Sequence, residues 1–185
     1  MKKVIAAFNM TIDGFCDHTA GLPDEEIHQH YTELLGQGDA ILYGSTTYQL
    51  MEFWRTFLEN PSEEKSMNDF ARAIDKIQKI VFSHTLKQVD WKSATLADRG
   101  LMETVLELKQ QPGNDIFIGS RSLIVQSMKF NLIDEYQLCV HPVVVGKGLP
   151  LFEDIGDRTI LKLVGTKTFK GGAVILYYQP IREKQ

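Results

Sequence analysis

Apolar residues recur along this chain in two rhythms, short unbroken runs and a spacing close to 3.6 residues. Their order predicts strands alternating with helices before strands alone take over. Residues 4–8 form the first run, a strand followed by a turn at Asp13-Gly14. From about Asp24 the pattern turns helical. Ile27, Tyr31, Leu34 and Leu35 share one face, Asp24, Glu25 and Glu26 suit the positive end, and Gly36 closes the helix. A second strand is expected over residues 40–43. Gly44 then leads into Ser45, Thr46 and Thr47, good capping residues, and a helix to about Phe57. The polar stretch 59–68 reads as a charged loop.

Phe70, Ile74 and Ile77 mark another amphipathic helix ahead of a strand at residues 80–83. Leu101, Val105 and Leu108 share a helical face that ends at Pro112-Gly113. A buried strand at residues 116–119 runs through Gly119-Ser120 into a helix carrying Leu123, Ile124 and Met128. The last third changes character: residues 136–145, 159–169 and 173–179 all read as strands, the last two joined as a hairpin at Gly171-Gly172. This order implies an α/β fold, a mostly parallel mixed sheet with an antiparallel C-terminal hairpin, flanked by helices.

With no repeat, low-complexity tract or linker, residues 1–185 read as one domain, and a chain of 185 residues buries a sizeable core. A composition 43% hydrophobic and 24% charged excludes a wholly disordered chain. The formal net charge of -4 and the lack of a Lys/Arg cluster argue against a nucleic-acid partner. The apolar run near the N-terminus is shorter than a signal core of roughly seven residues, and no run approaches the ~18 needed to span a bilayer. Cys16 and Cys139 lie too far apart in sequence for a zinc or redox pair. A cytoplasmic protein without a membrane partner is expected.

Two places have a strand entering a Gly/Ser/Thr turn and then a helix: Gly44-Ser45-Thr46-Thr47 and Gly119-Ser120-Arg121-Ser122. Each offers free backbone N–H groups and a positive dipole end. Hydroxyls add donors and Arg121 a cation, so the pair is a candidate pyrophosphate site. Gly146-Lys147-Gly148 lacks the third glycine and helix of a dinucleotide fingerprint and reads as a turn. P-loop, nucleophile-elbow and zinc-deaminase spacings are missing. His28 and His30, two apart on a helix, point to different faces, and no metal site is expected.

Taken whole, the chain resembles the family of the riboflavin-pathway pyrimidine reductase domain, related in fold to dihydrofolate reductase. The motifs are Thr11-Ile12-Asp13-Gly14, Gly44-Ser45-Thr46-Thr47-Tyr48, residues 79–86, Asp115-Ile116-Phe117-Ile118-Gly119-Ser120, Leu132-Ile133-Asp134-Glu135, residues 142–148, and Leu151-Phe152. The resemblance implies an NADPH-dependent reductase akin to 5-amino-6-(5-phosphoribosylamino)uracil reductase of riboflavin biosynthesis. It implies that Gly44 to Thr47 and Gly119, Ser120, Arg121, Ser122 and Leu123 hold the pyrophosphate, and that Ser83 and His84 lie near the adenosine ribose. Asp13 and Glu135 become the candidate catalytic polar residues, and Phe53, Trp54 and His141 candidate walls of the substrate pocket. A homodimer and a small-molecule substrate are also implied.

Three departures from the family pattern bear on that reading. Phe15 stands where a lysine is usual, which removes a cation that would meet a phosphorylated sugar. Ser45 stands where an arginine is common, which weakens the preference for NADPH over NADH. Ser120 replaces a second glycine, a cost if that peptide is strained. A binding protein that keeps the fold but transfers no hydride is the alternative.

Overall fold

The computed structural model describes residues 1–181; the last four residues of the expected domain lie outside them. Eight strands form one sheet: β1 (Val4–Thr11), β2 (Gly38–Gly44), β3 (Gln78–Phe82), β4 (Ala94–Leu96), β5 (Asp115–Ile118), β6 (Glu135–His141), β7 (Leu161–Thr168) and β8 (Val174–Pro180). Their order is β4-β3-β2-β5-β1-β6-β8-β7. The pairs from β4 to β6 are parallel, and β8 and β7 close the sheet antiparallel. No helix among the described residues is long and apolar enough to cross a membrane.

The central strands are buried on both faces, which is why they read as unbroken apolar runs. Ile5, Ile41, Tyr43, Val81 and Phe117 pack under α1 (Glu25–Leu35), α2 (Ser45–Met51) and α4 (Lys65–Lys76). Val4, Ala6, Leu42, Ile116 and Ile118 face α5 (Leu101–Gln110) and α6 (Arg121–Lys129). The α1 helix starts where the sequence places it, because the Asp24 carboxylate accepts the Ile27 N–H at 2.9 Å. Gly36 follows as its C-cap.

Several element boundaries differ from the sequence pattern. The helix expected from Ser45 to Phe57 is broken into α2, a 3₁₀ turn at Glu52–Arg55 and α3 (Thr56–Glu59). The α4 helix begins inside the stretch expected as loop. Asn68, in its first turns, accepts the Ser62 N–H at 2.8 Å and donates to the Ser62 carbonyl at 2.7 Å, closing the loop early. The expected strand 136–145 stops at His141, because Pro142 cannot donate to a ladder. The C-terminal hairpin turns as expected, with Gly172 at φ +87.

From β2 the chain passes to β3 on one side, whereas from β5 it passes through α6 and beyond β1 to β6 on the other. Right-handed crossovers in opposite directions put their helices on opposite faces. The adjacent C-terminal ends of β2 and β5 therefore bound a switch-point crevice, with α2 rising from one face and α6 from the other.

Candidate functional site

The two Gly/Ser/Thr turns meet at this crevice. The Gly44 N–H donates to Ser120 Oγ at 2.8 Å, linking the end of β2 to the start of α6. Ser120 is buried and extended, φ -127 and ψ 132, so serine meets no backbone strain where the family pattern has glycine. Its hydroxyl, spent on Gly44, does not cap its own helix; Gly44 has no side chain to cap α2. Both helix starts therefore face the crevice without a side-chain cap. A side chain at Gly44 would stand 3.2 Å from Ser122 Oγ, and one at Gly119 would strike the Tyr43 ring at 2.6 Å. The close approach of the two turns depends on both glycines.

Ser45 and Thr47 are half-buried beside the opening, and Thr46 and Ser122 are exposed. Leu123 faces the core and can offer only its backbone. Arg121, expected as a cation for the pyrophosphate, is engaged by the protein itself. Its Nε donates to the Pro150 carbonyl and its Nη2 pairs with Glu153 at 2.7 Å, so the guanidinium ties the start of α6 to the loop at residues 146–153. Ser83 and His84 follow β3 at the same edge of the sheet as Gly44, which pairs with Phe82. Ser83 Oγ accepts the N–H groups of Thr85 and Leu86 at 3.1 and 2.9 Å, and His84 is exposed.

Beyond the end of β5, β1 and β6 continue upward together and form a second wall. At their tip Asp13 accepts from the Thr11 hydroxyl at 2.6 Å and from the Gly146 N–H at 2.7 Å, with longer contacts from Val145. The Thr11 hydroxyl, followed by these backbone donors, holds its carboxyl below the usual range. Asp13 thus fastens the tip of β1 to the 142–148 loop. Phe15 bridges to Pro150 beside it, half-buried.

Glu135 is not gathered to the crevice. The parallel register sets it level with Ile5, which in turn pairs with Phe117, so it stands short of the end of β5. Its carboxylate accepts from Gln137 at 2.9 Å and faces Lys3 at 3.6 Å. Phe53 and Trp54 separate: Phe53 is 56% exposed, whereas the Trp54 ring packs on Phe70 at 4.5 Å and on His28 at 5.5 Å. His30 instead meets Tyr31, Phe169 and Lys167. Among the described residues no group of three or more His, Cys, Asp or Glu is placed to hold a metal ion.

His141 lies buried at the end of β6. Its Nδ1 accepts the Leu22 N–H at 3.1 Å, and its Nε2 meets Asn9 Oδ1 at 2.9 Å. Tyr31, from α1, donates to the same oxygen at 3.1 Å. Burial lowers the imidazole's pKa and raises that of the phenol, keeping both neutral. Asn9 lies outside the residues singled out from the sequence, and Tyr31 enters there only as a position on the apolar face of its helix. The available signal was an asparagine, a residue depleted in strands, directly after the first apolar run.

Residues 2–175 match the model of the RibD C-terminal domain. The uncharacterized protein YyaP of Bacillus subtilis (strain 168) is 34% identical over 181 residues, which cover 96% of this chain and 94% of that protein. A pyrimidine reductase-like protein from Corynebacterium diphtheriae superposes with a TM-score of 0.68 at 14% identity, over 98% of this chain and 93% of that one. A diaminohydroxyphosphoribosylaminopyrimidine deaminase/5-amino-6-(5-phosphoribosylamino)uracil reductase from Thermotoga maritima superposes at 0.64 and 14% identity, over 97% of this chain but 57% of that one. At such identities these structures share the fold.

Proposed function

The chain belongs to the RibD C-terminal domain family, and from that membership we propose that it is a reductase of a small heteroaromatic substrate that uses a nicotinamide dinucleotide, NADPH with NADH as the alternative. The observation that carries this reading is the meeting of two uncapped helix starts at one crevice, held by the Gly44 to Ser120 hydrogen bond. The donor set suits a pyrophosphate: backbone N–H groups of α2 and α6 together with the hydroxyls of Ser45, Thr46, Thr47 and Ser122. In this reading Ser83 and His84, which follow β3 one strand further out, would meet the adenosine ribose.

A dinucleotide held there supplies hydride to an electron-poor carbon. The protein's own residues position and shield. Asp13, kept ionised by its donors, fixes the 142–148 loop beside the crevice and is in this reading an ordering residue rather than a proton donor. Arg121 fixes the 146–153 segment on the α6 side. Phe15, at the joint between the two loops, gives the mouth an apolar ring where a phosphorylated sugar would need a cation, which favours an unphosphorylated ring as substrate.

The test is a fluorescence titration of the protein with NADPH and NADH, repeated on Gly44→Val. The added side chain enters the gap toward Ser122 and should weaken dinucleotide binding by about tenfold or more, roughly 1.4 kcal/mol, with the circular dichroism unchanged. Equal affinity in a folded Gly44→Val overturns the assignment of the crevice. The alternative of binding without turnover rests on Ser45 and Ser120, which stand where the family pattern has arginine and glycine. Tight dinucleotide binding with no oxidation of NADPH by any small heteroaromatic ring would establish it.

A further inference from the structure

The orientation of the Asn9 amide follows from a single unambiguous donor. The Leu22 N–H can only donate, so His141 Nδ1 accepts it. A neutral imidazole then carries its proton on Nε2, which donates to Asn9. The Asn9 atom that receives it must be the carbonyl oxygen, and that oxygen accepts the Tyr31 hydroxyl as well. Both of its lone pairs are used. The amide NH2 is left pointing away from His141 and Tyr31, and among the described residues no acceptor meets it although Asn9 is exposed.

Asn9 stands on the crevice wall. Ala6 is the last residue of β1 paired with β5, at Ile118, so Asn9 lies three residues above the departure of β5, about 10 Å along the strand. On its other side it pairs with Cys139, leaving its β5 side bordering the opening. Tyr31 brings it under α1, on the face from which α2 also rises. Its immediate partners are two neutral side chains, so the fixed feature there is a pair of uncharged N–H donors with no acceptor beside them.

We propose that Asn9 is a specificity-determining residue whose amide NH2 donates to a carbonyl oxygen of a substrate ring, with His141 and Tyr31 as the residues that position it. A ring is therefore accepted in the orientation that turns a carbonyl oxygen toward Asn9. A ring presenting an amino group at that edge meets donor against donor and is rejected. This rests on the reductase reading above, in which the crevice holds the dinucleotide and the β1 wall the ring.

The matched probes are 6-aminouracil and 2,4,6-triaminopyrimidine, the same ring with both carbonyl oxygens replaced by amino groups. Each is titrated by ligand-observed NMR into the protein with and without saturating NADPH. Wild type should prefer 6-aminouracil by about tenfold or more. Asn9→Asp keeps an oxygen for His141 and Tyr31 but presents only acceptors, and should reverse the preference while leaving NADPH affinity unchanged. Asn9→Ala, which keeps the test open if the aspartate does not fold, should abolish it. A folded variant with the wild-type preference overturns the proposal, as does a wild type that binds NADPH but neither probe. Failure of NADPH binding with the ring preference intact and reversible overturns the dinucleotide reading and leaves Asn9 in its role.

Discussion

His30 sits almost fully buried between α1 and β7, with Phe169 and Tyr31 against its ring and the Lys167 ammonium 3.1 Å from Nδ1. Burial first, and the neighbouring cation second, push its pKa down to about 4, with Glu33 opposing them weakly. In the unfolded chain the same imidazole titrates near 6.5. Between these values the unfolded state binds the extra proton, so stability is whole above pH 6.5 and falls as the pH drops toward 4. The loss amounts to up to about 3 kcal/mol, and burial of His28 and His141 adds in the same direction. Urea melts at steps of pH should show this slope, and His30→Gln should flatten part of it. An identical slope in His30→Gln would assign the loss elsewhere. The residue types of the site were legible from sequence, but their partners were not. Arg121 was readable as a cation at a helix start, yet its pairing with Glu153 depends on a loop whose path no local pattern states. Asn9 does not stand out in the sequence because the first apolar run ends at Phe8, whereas pairing with β6 carries the strand to Thr11.

At the scale of elements, the end of α4 shows how a buried charge substitutes for a cap. Lys79, fully buried at the start of β3, donates to the Ile77 carbonyl at 2.8 Å, the Asp75 carbonyl at 3.3 Å and Ser93 Oγ at 2.7 Å. Its ammonium lies 4.1 Å from the centre of the Trp91 ring. Burial pushes its pKa down to about 8, which still leaves it charged at neutral pH, where it complements the negative end of the helix. Lys79→Met keeps the length of the side chain but strands the Ile77 carbonyl, so the protein should lose about 1 to 3 kcal/mol and several degrees in its melting midpoint. An unchanged midpoint would mean that the apolar replacement offsets the lost donors. The elements read best from sequence are those whose periodicity and caps agree, such as α1, with Asp24 at one end and Gly36 at the other. The short β4, residues Ala94–Leu96, carries no periodicity in three residues and exists because β3 offers it a parallel edge. The break between α2 and α3 is likewise tertiary, set where Trp54 turns in to pack on Phe70.

Across the whole molecule, the sheet is an open one with two edges, and both are guarded. At one end β4 is only three residues long. At the other, β7 carries Lys162 and Lys167 and a register shift between Leu163 and Gly165, features that discourage addition of a further strand. The mixed architecture was legible as soon as the helical rhythm stopped after Met128, but the strand order was not, since the insertion of β5 between β2 and β1 is a long-range choice made by packing on both faces. The resemblance to the family implies a homodimer, and among the exposed apolar side chains of the molecule four lie together around that guarded edge: Ile160, Leu163, Val164 and Ile181 are each close to half exposed. We propose that a second copy covers these side chains by packing, without extending the sheet. In a two-fold interface the same residue acts from both partners, so one substitution counts twice. Light scattering should give a mass of twice 21.0 kDa for the wild type, and Leu163→Lys should shift it toward a folded monomer while leaving the crevice and its dinucleotide affinity alone. A wild type with the mass of one chain removes the dimer, and a Leu163→Lys that remains dimeric moves the interface to another face.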